Sequence, residues 1–154
     1  MMEITFQWTQ DADQSVALPS YETAGAAGAD IRANFPPEMR ATGLTLMAGA
    51  RALVPTGLRA EIPQGYEIQV RPRSGWALRD GITLANAPGT VDADYRGQLG
   101  VILINLGAEA VQISHGDRIA QLVVAPVARA TFTLGQGLTS SERGEGGFGS
   151  TGRS

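Results

Sequence analysis

The chain has no cysteine among its 154 residues, which excludes disulfides, thiolate metal sites and cysteine nucleophiles. It has no lysine either, so all 12 of its cations are arginines. Arginine suits phosphate recognition, but a genomic coding bias explains the count, which therefore carries no argument. The single histidine, His115, leaves too few soft ligands for zinc. A Ser–His–Asp triad would have to use it, and no GxSxG elbow accompanies it. It sits in ISHGDR between two apolar stretches, where a solvent-exposed turn residue is expected. Any metal is expected to be a hard ion held by oxygens, such as Mg2+. No apolar run approaches transmembrane length, and the opening MMEITFQWTQDADQ has an early acid and no apolar signal stretch. A cytoplasmic protein without membrane contact is the expectation. A net charge of −3 lacks the basic footprint of a protein whose main partner is nucleic acid.

What the chain does have is short strands punctuated by turns, the pattern of an all-β barrel or sandwich. ITFQW (4–8), ADIRA (29–33), YEIQVR (66–71), GITLAN (81–86), AVQIS (110–114) and ATFTL (130–134) all read as strands. ARALV (50–54) and GLRAEI (57–62) flank Pro55-Thr56-Gly57, a turn signal. GQLGVILIN (97–105) and RIAQLVVAPV (118–127) contain VILI and LVV, apolar on both faces. Such strands are buried on both sides or lie in a subunit interface, and in so small a chain the interface is expected. Only SGWALRD (74–80) has room for a helical turn or two. The length fits one domain: a β-barrel core over 1–134 and a Gly-rich arm over 135–154.

The arm carries the most distinctive run, RGEGGFGSTG at 143–152. Its glycines let backbone N–H groups approach an anion, Arg143 suits phosphate oxygens, and Phe148 offers a face for a base. It reads as a lid for a nucleoside phosphate or as a flexible terminus. Gly144, Gly146 and Gly149 spell GxGxxG, but no strand–turn–helix context surrounds them. The same stretch has P-loop spacing with Ser150 where the lysine belongs, so a Walker site is rejected as well. Upstream, NAPGTVDADYRGQLG (86–100) places Asp92 and Asp94 two residues apart beside Tyr95. One of them is a candidate general base, or the segment is an acidic β-turn. RPRSGWA (71–77) offers Arg73, the Ser74 hydroxyl and the Gly75 N–H as an anion cradle, or a surface turn. In GDRIAQLV (116–123) Gln121 must find partners if buried. In GAAGADIRA (25–33) Asp30 reads better as a buried hydrogen-bond hub than as a catalyst.

In this order the five blocks resemble the motifs of the dUTPase family, trimeric all-β deoxyuridine triphosphate pyrophosphatases, from about residue 25 to 152. The resemblance implies a distorted, jelly-roll-like β-barrel, a homotrimer with active sites at subunit contacts, and Mg2+ carried by substrate phosphates and water. It implies hydrolysis of dUTP to dUMP and pyrophosphate, limiting uracil in DNA and supplying dUMP for thymidylate synthesis. By the same resemblance Asp92 is the base that orients water, and Tyr95 packs on the deoxyribose and leaves no room for a 2′-hydroxyl. Asn86 and the hairpin backbone through Thr90 and Val91 meet uracil, while Gly100 offers backbone contact only. Arg73, Ser74, Gly75 and Gln121 hold phosphates, Asp30 is structural, and from the arm come Phe148 on the base and Arg143, Ser150 and Thr151 on phosphates. The shared-fold rival, a dCTP deaminase, would want a glutamate base and a different strand motif. A nucleotide-holding module without catalysis and a purely structural trimer are the other rivals.

Overall fold

The computed structural model describes residues 2–147, which form ten strands, one α-helix and a short 3-10 turn at Pro37–Met39. One sheet has the order β1-β4-β8-β6, with β1 at Thr5–Trp8, β4 at Arg51–Glu61, β8 at Gln98–Asn105 and β6 at Ile82–Leu84. The second runs β2-β10-β5-β7, with β2 at Ala29–Arg32, β10 at Arg118–Pro126, β5 at Tyr66–Arg71 and β7 at Gly89–Val91. A two-stranded ribbon joins β3 (Leu44–Leu46) to β9 (Val111–Ile113). All pairings are antiparallel. The expected all-β, jelly-roll-like fold is the fold observed, with hydrogen bonding kept within the sheets rather than closed into one continuous barrel.

Alternation explains which faces meet. In β5, Ile68 and Val70 turn inward while Glu67, Gln69 and Arg71 turn out and bond to one another through Gln69. In β8, Leu99, Val101 and Leu103 are buried, and Gly100, Ile102 and Ile104 form the opposite, half-covered face. The inward sets of both large sheets share one core around Phe35, Leu58, Leu103 and Ile119. Burying each such side chain contributes roughly 1.5–3 kcal/mol, against about 1–2 kcal/mol to order each residue's backbone. One sheet face alone therefore cannot hold, and the two sheets stabilise each other. Helix α1 (Ser74–Asp80) leaves β5 after Pro72 and stops at Gly81, whose φ of 71° is left-handed. Among the described residues no helix is long and apolar enough to cross a membrane.

Three expectations need correction. Pro55-Thr56-Gly57 is not a turn between two strands but a bulge within the single strand β4. The register against β8 shifts there, Gly57 takes a φ of 69°, and the Thr56 hydroxyl donates to the Leu99 carbonyl at 2.6 Å. The bulge absorbs the missing Pro55 N–H, so β4 passes from β8 to β1 unbroken. ATFTL at 130–134 alternates like a strand but is none, because no edge of its own chain lies beside it; Phe132 and Leu134 stand fully in solvent.

His115 is the third, since it is half-buried and bridging rather than solvent-exposed. Its Nδ1 accepts from the Phe35 N–H at 3.0 Å, and its Nε2 lies 3.1 Å from Asp13 Oδ2. That pattern assigns the proton to Nε2. Asn34 clasps both ends of Asp13's backbone, and Arg40 donates to the carbonyls of Phe35 and Asp11. Together these bonds clip the segment after β1 onto the turn before β10. The Asp13 carboxylate accepts from the Ser15 hydroxyl and N–H and then from His115, which lowers its pKa to about 2. A lowered carboxylate stabilises the fold in full above its unfolded value and loses that contribution as pH falls toward the folded one. The stability difference between wild type and Asp13→Asn should therefore shrink as pH falls from about 4 through about 2 in urea unfolding series.

Candidate active site

The structure gathers the candidate residues into two sets. The first lies on the outer face of the second sheet. Asp30 of β2 is 4% exposed, with Arg118 Nη1 at 3.2 Å from Oδ2 and Gln121 Nε2 at 3.3 Å from Oδ1. Arg73 Nε stands 3.6 Å from Oδ1, and its Nη1 donates to the Arg118 carbonyl. Gln121 is flanked in register by Asp30 on one side and Arg71 on the other, so it sits at the centre of this face. Ser74 and Gly75, both exposed, follow Arg73 into α1. Arg118 has no role in the sequence reading; a lone cation opening an apolar strand was the available signal. Its ion pairs to Asp30 and Glu22 make it the second anchor of the buried carboxylate.

The second set lines a cleft of about 180 Å3 at the other side of the sheet, between the two sheets. Thr90, Val91, Asp92, Tyr95 and Gly100 border it, and Ile31, Val70 and Leu122 form its apolar floor. Asp92 is exposed at the mouth, where the cleft meets a broad open groove that also touches Glu61, Glu67 and Asp94. The groove is larger and carries several carboxylates; the smaller cleft is floored by Ile31, Val70 and Leu122, the kind of apolar surface that a planar base or a sugar requires. Asn86 is exposed at the far end of the hairpin and does not line the cleft.

Strand geometry keeps the two sets apart within one chain. Ile31, Val70 and Leu122 point inward, so their neighbours Asp30, Arg71 and Gln121 point out of the opposite face. Along β5 the separation repeats. Val91 pairs with Ile68, so Asp92 continues toward Glu67. Arg71 stands four residues further along, about 13 Å at about 3.3 Å per residue, and Arg73 lies beyond it. Arg143 joins neither set: its Nε donates to the Gly146 carbonyl at 2.7 Å in an exposed turn of the arm. Phe148, Ser150 and Thr151 lie outside the described residues. Among those described, no three His, Asp or Glu side chains gather to hold a metal ion.

The chain is an all-β, jelly-roll-like protein with a small cleft at a hairpin edge and an arginine set on the outer face of one sheet. Residues 14–152 match the dUTPase family model, and the chain belongs to that family. It is 62% identical over 152 residues to a deoxyuridine 5'-triphosphate nucleotidohydrolase of Roseobacter denitrificans, covering 99% of this chain and 97% of the relative. A protein of the same description from Dinoroseobacter shibae is 59% identical over 142 residues, 92% of each chain. Among solved structures, a Staphylococcus bacteriophage 80alpha dUTPase with dUPNHPP superimposes with a TM-score of 0.79 at 26% identity, over 98% of this chain and 99% of that one. A dUTPase from phage phi11 of S. aureus, with a structural Mg(II) ion, has a TM-score of 0.74 at 21% identity over 90% of this chain and 99% of that one, a likeness of fold.

The first set yields a direct test. Removing the charge of a buried, paired carboxylate costs about 3–5 kcal/mol when its partners are buried too. Here Arg73 and Arg118 keep 30% and 38% of their side chains in solvent, which weakens the pairing. Asp30→Asn should therefore lower stability by about 2 kcal/mol, read as a shifted denaturation midpoint at unchanged slope.

Proposed function

We propose that the chain hydrolyses dUTP to dUMP and pyrophosphate by attack of water on the α-phosphorus. The observation that carries this reading is Asp92 at the mouth of the apolar cleft with Tyr95 on its wall, in a chain of this family. The base and deoxyribose enter the cleft, with the hairpin through Thr90 and Val91 reading uracil and Gly100 contributing its backbone, while Asn86 stays outside it at the far end of the hairpin. Tyr95 packs on the sugar. Asp92 orients the water and takes its proton as the new P–O bond forms. The bond from the α-phosphorus to the bridging oxygen breaks, and pyrophosphate leaves with that electron pair. The protein's work is mainly positioning and charge neutralisation, as in other phosphoryl transfers.

The phosphates must meet Arg73, Ser74, Gly75 and Gln121, yet in one chain these stand on the opposite face of the sheet from the cleft. That separation supports a site completed across a homotrimer, in which one subunit offers the cleft and another the arginine set. The outer face of β4 and β8 gives such an assembly its contact: Leu53 is 66% exposed and pairs in register with Ile102. Residues 135–154 act as an arm that covers a neighbour's site, with Phe148 on the base and Arg143, Ser150 and Thr151 on the phosphates. Mg2+ would be carried by the substrate phosphates beside Asp92, the carboxylate that borders the cleft among the described residues. When bound it neutralises phosphate charge. The protein works in the cytoplasm.

Product analysis with dUTP, dCTP, dTTP and UTP in the presence of Mg2+ tests the reaction. Release of dUMP and pyrophosphate from dUTP alone is expected, and Asp92→Asn should slow it by at least about 100-fold, the lower end for a positioned base. Ammonia from dCTP would transfer the chain to deamination, and binding of dUTP without turnover would leave a nucleotide-holding module. Truncation before Arg143 should leave a folded oligomer with turnover reduced at least about tenfold, given the cost of losing a pre-organised charged donor. Unchanged kinetics would remove the arm from the site.

A further inference from the structure

Tyr95 is held at the cleft by its own turn. Its N–H donates to the Asp92 carbonyl at 3.1 Å, and its hydroxyl donates to the Gln98 carbonyl at 3.0 Å. Reaching residue 98 forces the ring to double back across residue 97. Glycine at that position leaves the space: a Cβ on residue 97 would collide with the Tyr95 Oη and Cζ and stand 2.8 Å from Cε2. The backbone makes no such demand, because Gly97 is not among the glycines with positive φ. Nor does the turn depend on Gly97, since Arg96 Nη1 donates to the carbonyls of Ala93 and Tyr95 and braces it independently. The ring alone requires a glycine here.

We propose that Gly97 is a positioning residue for sugar selection, acting through Tyr95. It lets the ring lie back over the chain, where the hydroxyl is anchored and the ring face closes the cleft wall. This rests on the reading of Tyr95 as the group that meets the deoxyribose. Tyr95 is 45% exposed, so a Cβ on residue 97 swings the ring into solvent rather than disrupting the core. The cleft then widens on the side where a 2′-hydroxyl would go. The effect belongs to discrimination more than to folding.

The experiment compares kcat/KM for dUTP and UTP in wild type, Gly97→Ala, Tyr95→Ala and the double variant of the full chain, with thermal unfolding of each. Gly97→Ala should lower the dUTP/UTP ratio roughly tenfold or more, the scale of a single packing group in a pocket. Its Tm should stay near that of wild type, and the double variant should show no further loss beyond Tyr95→Ala. A wild-type ratio in Gly97→Ala alongside a lowered ratio in Tyr95→Ala overturns the proposal and leaves the reading of Tyr95 intact. An unchanged ratio in Tyr95→Ala overturns both. Should Gly97→Ala fail to fold, recovery of folding in the double variant supports the steric link, and its absence overturns it.

Discussion

A buried negative charge governs the outer face of the second sheet. Asp30 is 4% exposed, a carboxylate that is costly to bury without partners, and Arg118, Gln121 and Arg73 converge on it from β10 and from the entry to α1. Its backbone is tied as well, exchanging two hydrogen bonds with Ser20. The consequence is positional. Arg73 is tied both to Asp30 and, through Nη1, to the Arg118 carbonyl, so the start of α1, with Ser74 and Gly75, is held at one place on the sheet. Among the described residues every buried side-chain nitrogen and oxygen has a partner, and this cluster is the most heavily charged example. Removing the carboxylate would leave two arginines facing each other across the same face.

Much of the fold was legible because the strands alternate. YEIQVR turns Ile68 and Val70 inward as its letters demand, and SGWALRD makes the one α-helix among the described residues, stopped by Gly81. The failures share a cause: alternation describes a strand but not its partner. ATFTL has the pattern and lacks a neighbour within its chain. Pro55-Thr56-Gly57 has turn chemistry, yet β1 and β8 on either side hold β4 extended through it. β3, three residues long, has too short a pattern to notice, and only β9 makes it a strand. His115 was misread because its partners, Asp13 and Phe35, lie 102 and 80 residues away.

The candidate site was legible in a different sense. Motif order named Asp92, Tyr95, Arg73 and Gln121 without saying which of them meet. The structure separates them along the second sheet: Asp92 continues from β7 toward the Glu67 end of β5, while Gln121 and Arg73 lie at its Arg71 end. It also adds Arg118, marked in the sequence only as a lone cation opening an apolar strand, and Gly97, whose meaning depends on where an aromatic ring two residues earlier comes to rest. Such roles arise from contacts, and no periodicity reports them.

The placement of the cleft and the arginine set on opposite faces of one sheet has a genetic corollary. In the proposed trimer, a chain damaged at the hairpin and a chain damaged beside α1 carry lesions that fall in different composite sites. Co-expressed, they assemble some sites from two intact halves, so two inactive alleles complement each other. Two lesions within the same set never do. The pattern of complementation between alleles would then draw the boundary between subunits on a genetic map, with no measurement of structure at all.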